Sequence, residues 1–214
     1  MTFAIVLIGW IFSLCLHEFA HALVAYHGGD HTVKDKGYLT FNPLKYTHPV
    51  YSLLLPLLFL MMGGIGLPGG AVYIERWRLR SKLWETAVSL AGPFANALLA
   101  LVLGFILQFG PVTSSEYGPG LAFLALVQIS AVVLNLIPLP PFDGFGALEP
   151  YLPMEVRQRL AETRGFLSWI VIILLWQFPA FSERFWGVVG FLVRLAGVPV
   201  QLAIVGLDQF MFWQ

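Results

Sequence analysis

Charge is what this chain lacks. Only 11% of its 214 residues are charged, and twelve Lys and Arg cancel twelve Asp and Glu to a net charge of zero. A soluble domain carries roughly 25% charged residues, so there is too little charge here to coat a water-facing surface. No basic block exists that would suit a nucleic acid. Cys15 is the single cysteine, which excludes an intrachain disulfide. It lies about 200° around a helix from His17 and reads as packing. The start, Met1-Thr2-Phe3-Ala4-Ile5-Val6, has no basic residue, so a cleaved signal peptide is not expected. Long polar stretches, internal repeats and low-complexity segments are also missing. Residues 1–214 therefore read as one integral-membrane domain, with a core over about 1–146 and accessory helices over about 165–207.

Apolar sequence in long runs is what the chain has. It is 58% hydrophobic, with a mean hydropathy of +0.78. Runs over residues 2–26, 83–109 and 121–137 approach or exceed the roughly 20 residues that span a bilayer as helix. Residues 165–178 and 185–207 read as two more membrane helices, the first short. Arg194, inside the last run, reads as snorkelling or as facing the bundle. The run over 50–67 is interrupted by Pro56, Gly63, Gly64 and Gly66, with Pro68-Gly69-Gly70 directly after it. It suits a re-entrant segment better than a straight span. The expected fold is an all-α polytopic membrane protein of about five transmembrane helices plus a re-entrant segment, with room for a small β element.

The first apolar run contains His17-Glu18-Phe19-Ala20-His21. An ionised group at membrane depth costs a few kcal/mol, so such residues mark a function. Residues four apart share one helix face. Two imidazoles at that spacing hold one Zn²⁺, and Glu18 leans over the same site as a general base. A catalytic zinc site takes three protein ligands and leaves one position open. The candidate third ligand is Asp143, in Asn135-Leu136-Ile137-Pro138-Leu139-Pro140-Pro141-Phe142-Asp143-Gly144. The prolines force the backbone out of helix, and Gly144 permits close approach. Irregular backbone at that depth is tolerated where it lines a polar cavity.

These motifs together resemble the site-2 protease family of intramembrane zinc metalloproteases. Ala91-Gly92-Pro93-Phe94-Ala95-Asn96 is similar to the family's G-P-x-x-N motif. Gly37-Tyr38-Leu39-Thr40-Phe41-Asn42-Pro43-Leu44 is similar to a segment of its small bacterial branch. The resemblance covers about residues 10–146. It implies that His17, His21 and Asp143 bind one catalytic Zn²⁺ and that Glu18 is the catalytic base. One departure is visible. Many members have two glycines after the aspartate, whereas here Phe145 separates Gly144 from Gly146. That is expected to narrow the cleft beside the metal while leaving every ligand in place. No PDZ or CBS insertion is seen.

One metal touching His17, His21 and Asp143 requires the first and fourth apolar segments to run parallel. That holds if residues 50–67 enter and leave on one side. Lys34, Lys36, Lys45, Arg76, Arg78, Arg80, Lys82, Arg157, Arg159 and Arg164 then share one face, with Arg184 opposite. By the positive-inside rule this face is cytoplasmic. The expected protein sits in the inner membrane of a prokaryote, amino terminus outside, metal toward the cytoplasm. Its expected partner, besides the bilayer, is a membrane protein whose transmembrane segment it cleaves. Residues 39–41 or 69–74 would hold that segment by strand addition. Asn96 is the candidate oxyanion or substrate contact. Asn135 reads as structural, Glu149 as solvated, and His27, His31 and His48 as solvated loop residues. A metal transporter and an inactive relative that binds membrane segments are the rival readings. The compact ligand cluster, the absence of a repeat and the intact Glu18 weigh against them.

Overall fold

A computed structural model describes residues 1–46, 57–58, 60–61 and 72–213. Apart from Leu57, Leu58, Leu60 and Met61, the expected re-entrant segment lies outside the described residues. Among those described, every regular element is helical and no strand occurs. Three helices are long and apolar enough to cross a membrane: α1 (Thr2–Gly28), α3 (Lys82–Phe109) and α4 (Gly118–Asn135).

α1 has no internal breaker and stops where its sequence supplies one. Gly29 takes a φ of +120°. Its N–H bonds the Tyr26 carbonyl (3.3 Å), and the Asp30 N–H bonds the Ala25 carbonyl (2.9 Å). This is the glycine-dependent helix stop that satisfies the last orphan carbonyls. A single turn, α2 (Thr32–Asp35), follows. α3 carries Pro93 in its interior, which removes the donor for the Ser89 carbonyl one turn earlier. After α4 the prolines at 138, 140 and 141 prevent helix, and the Pro140–Pro141 bond is cis. α5 (Asp143–Leu148) then begins at the expected aspartate.

The direction of each helix is set by close approaches. Gly9 of α1 lies against Leu124 of α4, and Gly120 of α4 lies against Ile5 of α1. Both sequence numbers rise together, so α1 and α4 run parallel. α3 runs the other way: Gly28 meets Leu79 and Trp84 beside its start, while Gly92, further along, meets His17 and His21. The Arg80 N–H donates to the Gly28 carbonyl (3.0 Å), so Arg80 lies at the carboxyl end of α1. In lipid no hydrophobic drive holds helices together, and glycines that let backbones approach carry the association instead. The main core joins Val6, Trp10 and Leu14 of α1 with Leu103 and Leu107 of α3 and Phe123 and Leu134 of α4.

Four helices complete the chain: α6 (Met154–Glu162), α7 (Arg164–Gln177), α8 (Pro179–Leu195) and α9 (Val200–Phe210). At 14 residues, α7 reaches about 21 Å, short of a bilayer's roughly 30 Å. The apolar run over 185–207, expected as one helix, is divided into α8 and α9 with a bend of 118°. Gly197 adopts a φ of +75°, which ends α8, and Pro199 cannot continue it. Val189 and Val193 of α8 and Phe210 of α9 join the main core.

Candidate metal centre and active site

The four residues expected to do the chemistry come together. His17 and His21 are buried on one face of α1, and their Nε2 atoms lie 3.0 Å apart. Asp143 closes the group, with Oδ2 at 3.2 Å from His17 Nε2 and Oδ1 at 3.5 Å from His21 Nε2. Ligands at about 2.0–2.2 Å on a tetrahedral ion stand roughly 3.3 Å from one another. The observed triangle has that size, and two imidazoles with a carboxylate are a donor set Zn²⁺ takes.

Second contacts aim these ligands. His21 Nδ1 donates to the Val88 carbonyl of α3 (2.6 Å), which leaves the lone pair on Nε2 for a metal. His17 Nδ1 and Asp143 Oδ2 are buried without a hydrogen-bond partner. Gly92 makes the room. A Cβ there would collide with the Nε2 atoms of both His17 and His21. Gly144 does the same for Asp143. A Cβ on it would strike the Leu136 carbonyl, and the Ile137 carbonyl at 2.8 Å. Thr86 Oγ1 then ties α5 to α3 through the Ala147 carbonyl (2.8 Å).

Glu18 is 4% exposed and accepts from the Val72 N–H at 3.1 Å. Val72, Tyr73 and Ile74 line the same cavity as the ligands, and a polar cluster beyond the carboxyl end of α1 fastens that stretch. Asp30, fully buried, accepts from the Glu75 N–H (2.7 Å) and from the Thr32 hydroxyl (2.6 Å). Lys36 Nζ bonds the Tyr73 carbonyl (3.2 Å) and Glu75 Oε1 (3.0 Å), and Arg78 Nε bonds Glu75 Oε2 (2.6 Å). These bonds from Arg78 and Lys36 hold the Glu75 carboxyl below the usual carboxylate range. Charge thus holds the strap that meets the buried glutamate.

A cavity of about 400 Å³ opens beside the ligands. His17, Glu18, His21 and Asp143 line one part of it, and Val72, Tyr73, Ile74 and Arg76 another. Asn135 lines it too, although its sequence context suggested a structural role. Asn96 is buried one turn beyond Gly92 on α3, with Oδ1 unpartnered, and is not among the lining residues. Glu149 corrects a second expectation. It is not solvated but turned to the cavity, with Oε2 at 2.8 Å from Arg76 Nη1 and 15% of its side chain exposed. Helix phase and loop path decide such details, and neither is written in local composition. Residues 39–41 form bends and do not line the cavity. Residues 72–74 do line it, while 69–71 lie outside the described residues. His27 and His31 are exposed, and His48 lies outside the described residues.

Known proteins share this sequence over nearly its whole length. It is 45% identical over 212 residues to a Mycolicibacterium smegmatis protein named "Putative zinc metalloprotease Rip2", covering 99% of this chain and 81% of that one. The Mycobacterium tuberculosis protein of the same name is 45% identical over 213 residues, with the same coverage. A Bacillus subtilis protein named "Putative zinc metalloprotease YwhC" is 33% identical over 184 residues, covering 82% of this chain and 81% of its own length. No protein-family model and no solved structure matches the chain.

Proposed function

The chain belongs to the site-2 protease family of zinc metalloproteases, and on that premise we propose that it hydrolyses peptide bonds within or beside transmembrane segments of other membrane proteins. The observation that carries this reading is the placement of Glu18. It sits in one cavity with a zinc-sized triangle of His17, His21 and Asp143, on a helix long and apolar enough to cross a bilayer.

When bound, Zn²⁺ supplies a Lewis acid that polarises the scissile carbonyl and lowers the pKa of water to about 7. The chain's own residues do the rest. His17, His21 and Asp143 hold the ion. Glu18 takes a proton from the attacking water and passes it to the leaving amine nitrogen. The Val72 N–H, at 3.1 Å, orients the Glu18 carboxylate for that transfer. A helical substrate hides its carbonyls in its own hydrogen bonds and must unwind to react. Residues 72–74 line the cavity and are the backbone that would meet such a strand. Asn135 faces the substrate space, and Asn96 acts from the layer behind.

The same reading orients the protein. Lys34, Lys36, Arg76, Arg78, Arg80 and Lys82 gather at the carboxyl end of α1, beside the ligands, whereas residues 110–117 between α3 and α4 hold no Lys or Arg. The basic end is cytoplasmic by the positive-inside rule, which puts the amino terminus outside. Single cysteines at Lys45, Ser81 and Ser115 in a Cys15→Ser background test this with an impermeant thiol reagent. Positions 45 and 81 label from the cytoplasmic side and 115 from the other. Labelling of 45 and 115 from one face would overturn the arrangement.

The deciding experiment is Glu18→Gln. The variant keeps its zinc, measured by metal analysis, and loses cleavage of a single-pass substrate, because an amide cannot accept the proton. Cleavage within about tenfold of the parent would remove Glu18 from the base role.

A further inference from the structure

The sequence departs from its family pattern at Phe145, and the structure shows what that residue encloses. A second, smaller cavity of about 80 Å³ adjoins the metal centre and shares Asp143 and Ser89 with the larger one. Its far wall is formed by Phe142, Phe145 and Gly146 of the ligand-bearing turn. Phe145 is 4% exposed, so its ring is packed in place and not free to swing out. Ser89 of α3 and Arg76 also line it. A Cβ on Gly146 would come within 2.8 Å of Ser89 Oγ and 3.2 Å of an Arg76 guanidinium nitrogen, so a side chain at residue 146 would press on two of the lining residues. The Arg76–Glu149 ion pair borders both cavities and neutralises the rim.

We infer that this side cavity is a specificity pocket for the residue flanking the scissile bond, and that it selects a small side chain of the Gly, Ala or Ser class. This rests on the proteolytic reading above and adds the substrate's local sequence to it. The argument is one of size and place. At about 30 Å³ of liquid volume per water, the pocket has room for roughly three heavy atoms. A methyl or a hydroxymethyl enters, and the Ser89 hydroxyl stands beside it. The side chain of Leu, Phe or Trp does not fit without displacing the Phe145 ring. Because Asp143 lines both cavities, a peptide whose carbonyl is presented at the metal has its neighbouring side chain at the mouth of this one. Gly or Ser there also eases the local unwinding that a helical substrate needs, since both hold a helix less firmly than Leu or Ala.

The test uses the full chain, purified with its zinc content measured, and one single-pass substrate whose cleavage site has been mapped by mass spectrometry. Each residue flanking the cut is changed in turn to Gly, Ala, Ser, Leu and Phe. The parent is expected to cleave the best small-residue substrate at least about tenfold faster than the Leu or Phe versions, the range one or two excluded methylenes produce. Phe145→Ala enlarges the pocket, and the ratio of Ala to Leu turnover within that variant collapses toward one. Ser89→Val narrows the pocket from α3 and shifts preference from Ala toward Gly, which gives a second readout should Phe145→Ala fail to fold. A parent that cleaves Leu or Phe substrates as fast as Ala overturns the proposal. So does a ratio that neither variant moves. Absence of cleavage across the whole series by zinc-loaded parent overturns the proteolytic reading itself, and the pocket falls with it.

Discussion

Glycines near the metal and glycines in α8 do opposite things. At Gly92 a single added carbon would collide with two ligand atoms, and at Gly144 it would strike a backbone carbonyl. At Gly187 the same carbon meets nothing within 4 Å, and at Gly190 only an Arg194 guanidinium nitrogen at 3.9 Å. Both sets lie in or beside apolar helix, and composition does not tell them apart. The first set fixes ångström-scale geometry between α1, α3 and α5. The second has no close neighbour from another helix among the described residues. Constraint is concentrated where three elements converge on one point and is weak where a helix faces outward. α9 sides with the first set although it is far from the metal, because a Cβ on Gly206 would strike the Pro119 carbonyl of α4.

The largest expected contrast follows from that pair. Gly92→Ala is expected to weaken zinc binding by at least about a hundredfold and to abolish cleavage, because the methyl occupies the space in which both Nε2 atoms meet the ion. Gly187→Ala is expected to keep full zinc and activity and to change stability by less than about 1 kcal/mol, in the stabilising direction for an exposed helical site. Metal analysis and thermal unfolding of both variants in the same detergent check this. Full zinc occupancy in Gly92→Ala would show that the helices part more easily than the packing implies.

A smaller contrast separates two acids six residues apart. Asp143→Ala removes a ligand and is expected to lose zinc and activity together. Glu149→Ala leaves the ligands untouched and frees Arg76, which is 43% exposed. An ion pair with one partner that open contributes about 1 kcal/mol or less. Zinc is expected to stay bound while cleavage falls by no more than several-fold. Retained zinc in Asp143→Ala would place the third ligand elsewhere.

These contrasts also mark what the sequence could and could not tell. His17, Glu18 and His21 are legible because helical periodicity alone puts them on one face. Asp143 is legible only beside that motif, since a proline-broken turn with an acid is otherwise an ordinary helix end. The parallel run of α1 and α4 follows from requiring both to reach one metal. The role of Gly92 is not legible, since it depends on which face of α3 turns to α1. The path of residues 72–80 is equally hidden, because Asp30 and Glu75 are 45 positions apart and meet only in space. The division of α8 from α9 was signalled by Gly197 and Pro199, but hydropathy continues through both and conceals the break. Glu149 looked solvated because its neighbours are polar, and its partner lies 73 positions away.

The smallest expected effect lies in the strap itself. Its charged cluster is built on Glu75, whose carboxyl is held below the ordinary range by Arg78 and Lys36. The folded value is the lower one. Its contribution to holding the strap is therefore complete above the unfolded value of about 4.3 and is lost as pH falls through the folded value. The amides of residues 73–79 are expected to exchange faster in acid, relative to their intrinsic rates, while those in the middle of α4 stay protected. Glu75→Gln cannot titrate. It should exchange faster than the parent at neutral pH and show no further acid-dependent step in this segment. An acid step that survives unchanged in Glu75→Gln would assign it to another carboxylate. The consequence reaches the active site through one bond. Val72, three residues before Glu75, donates to Glu18, so a strap loosened by acid also releases the group that orients the base. In the acid range where Glu75 protonates, the histidine ligands protonate as well and release metal, so the link to catalysis is read at neutral pH, where Glu75→Gln should cleave more slowly than the parent with zinc still bound.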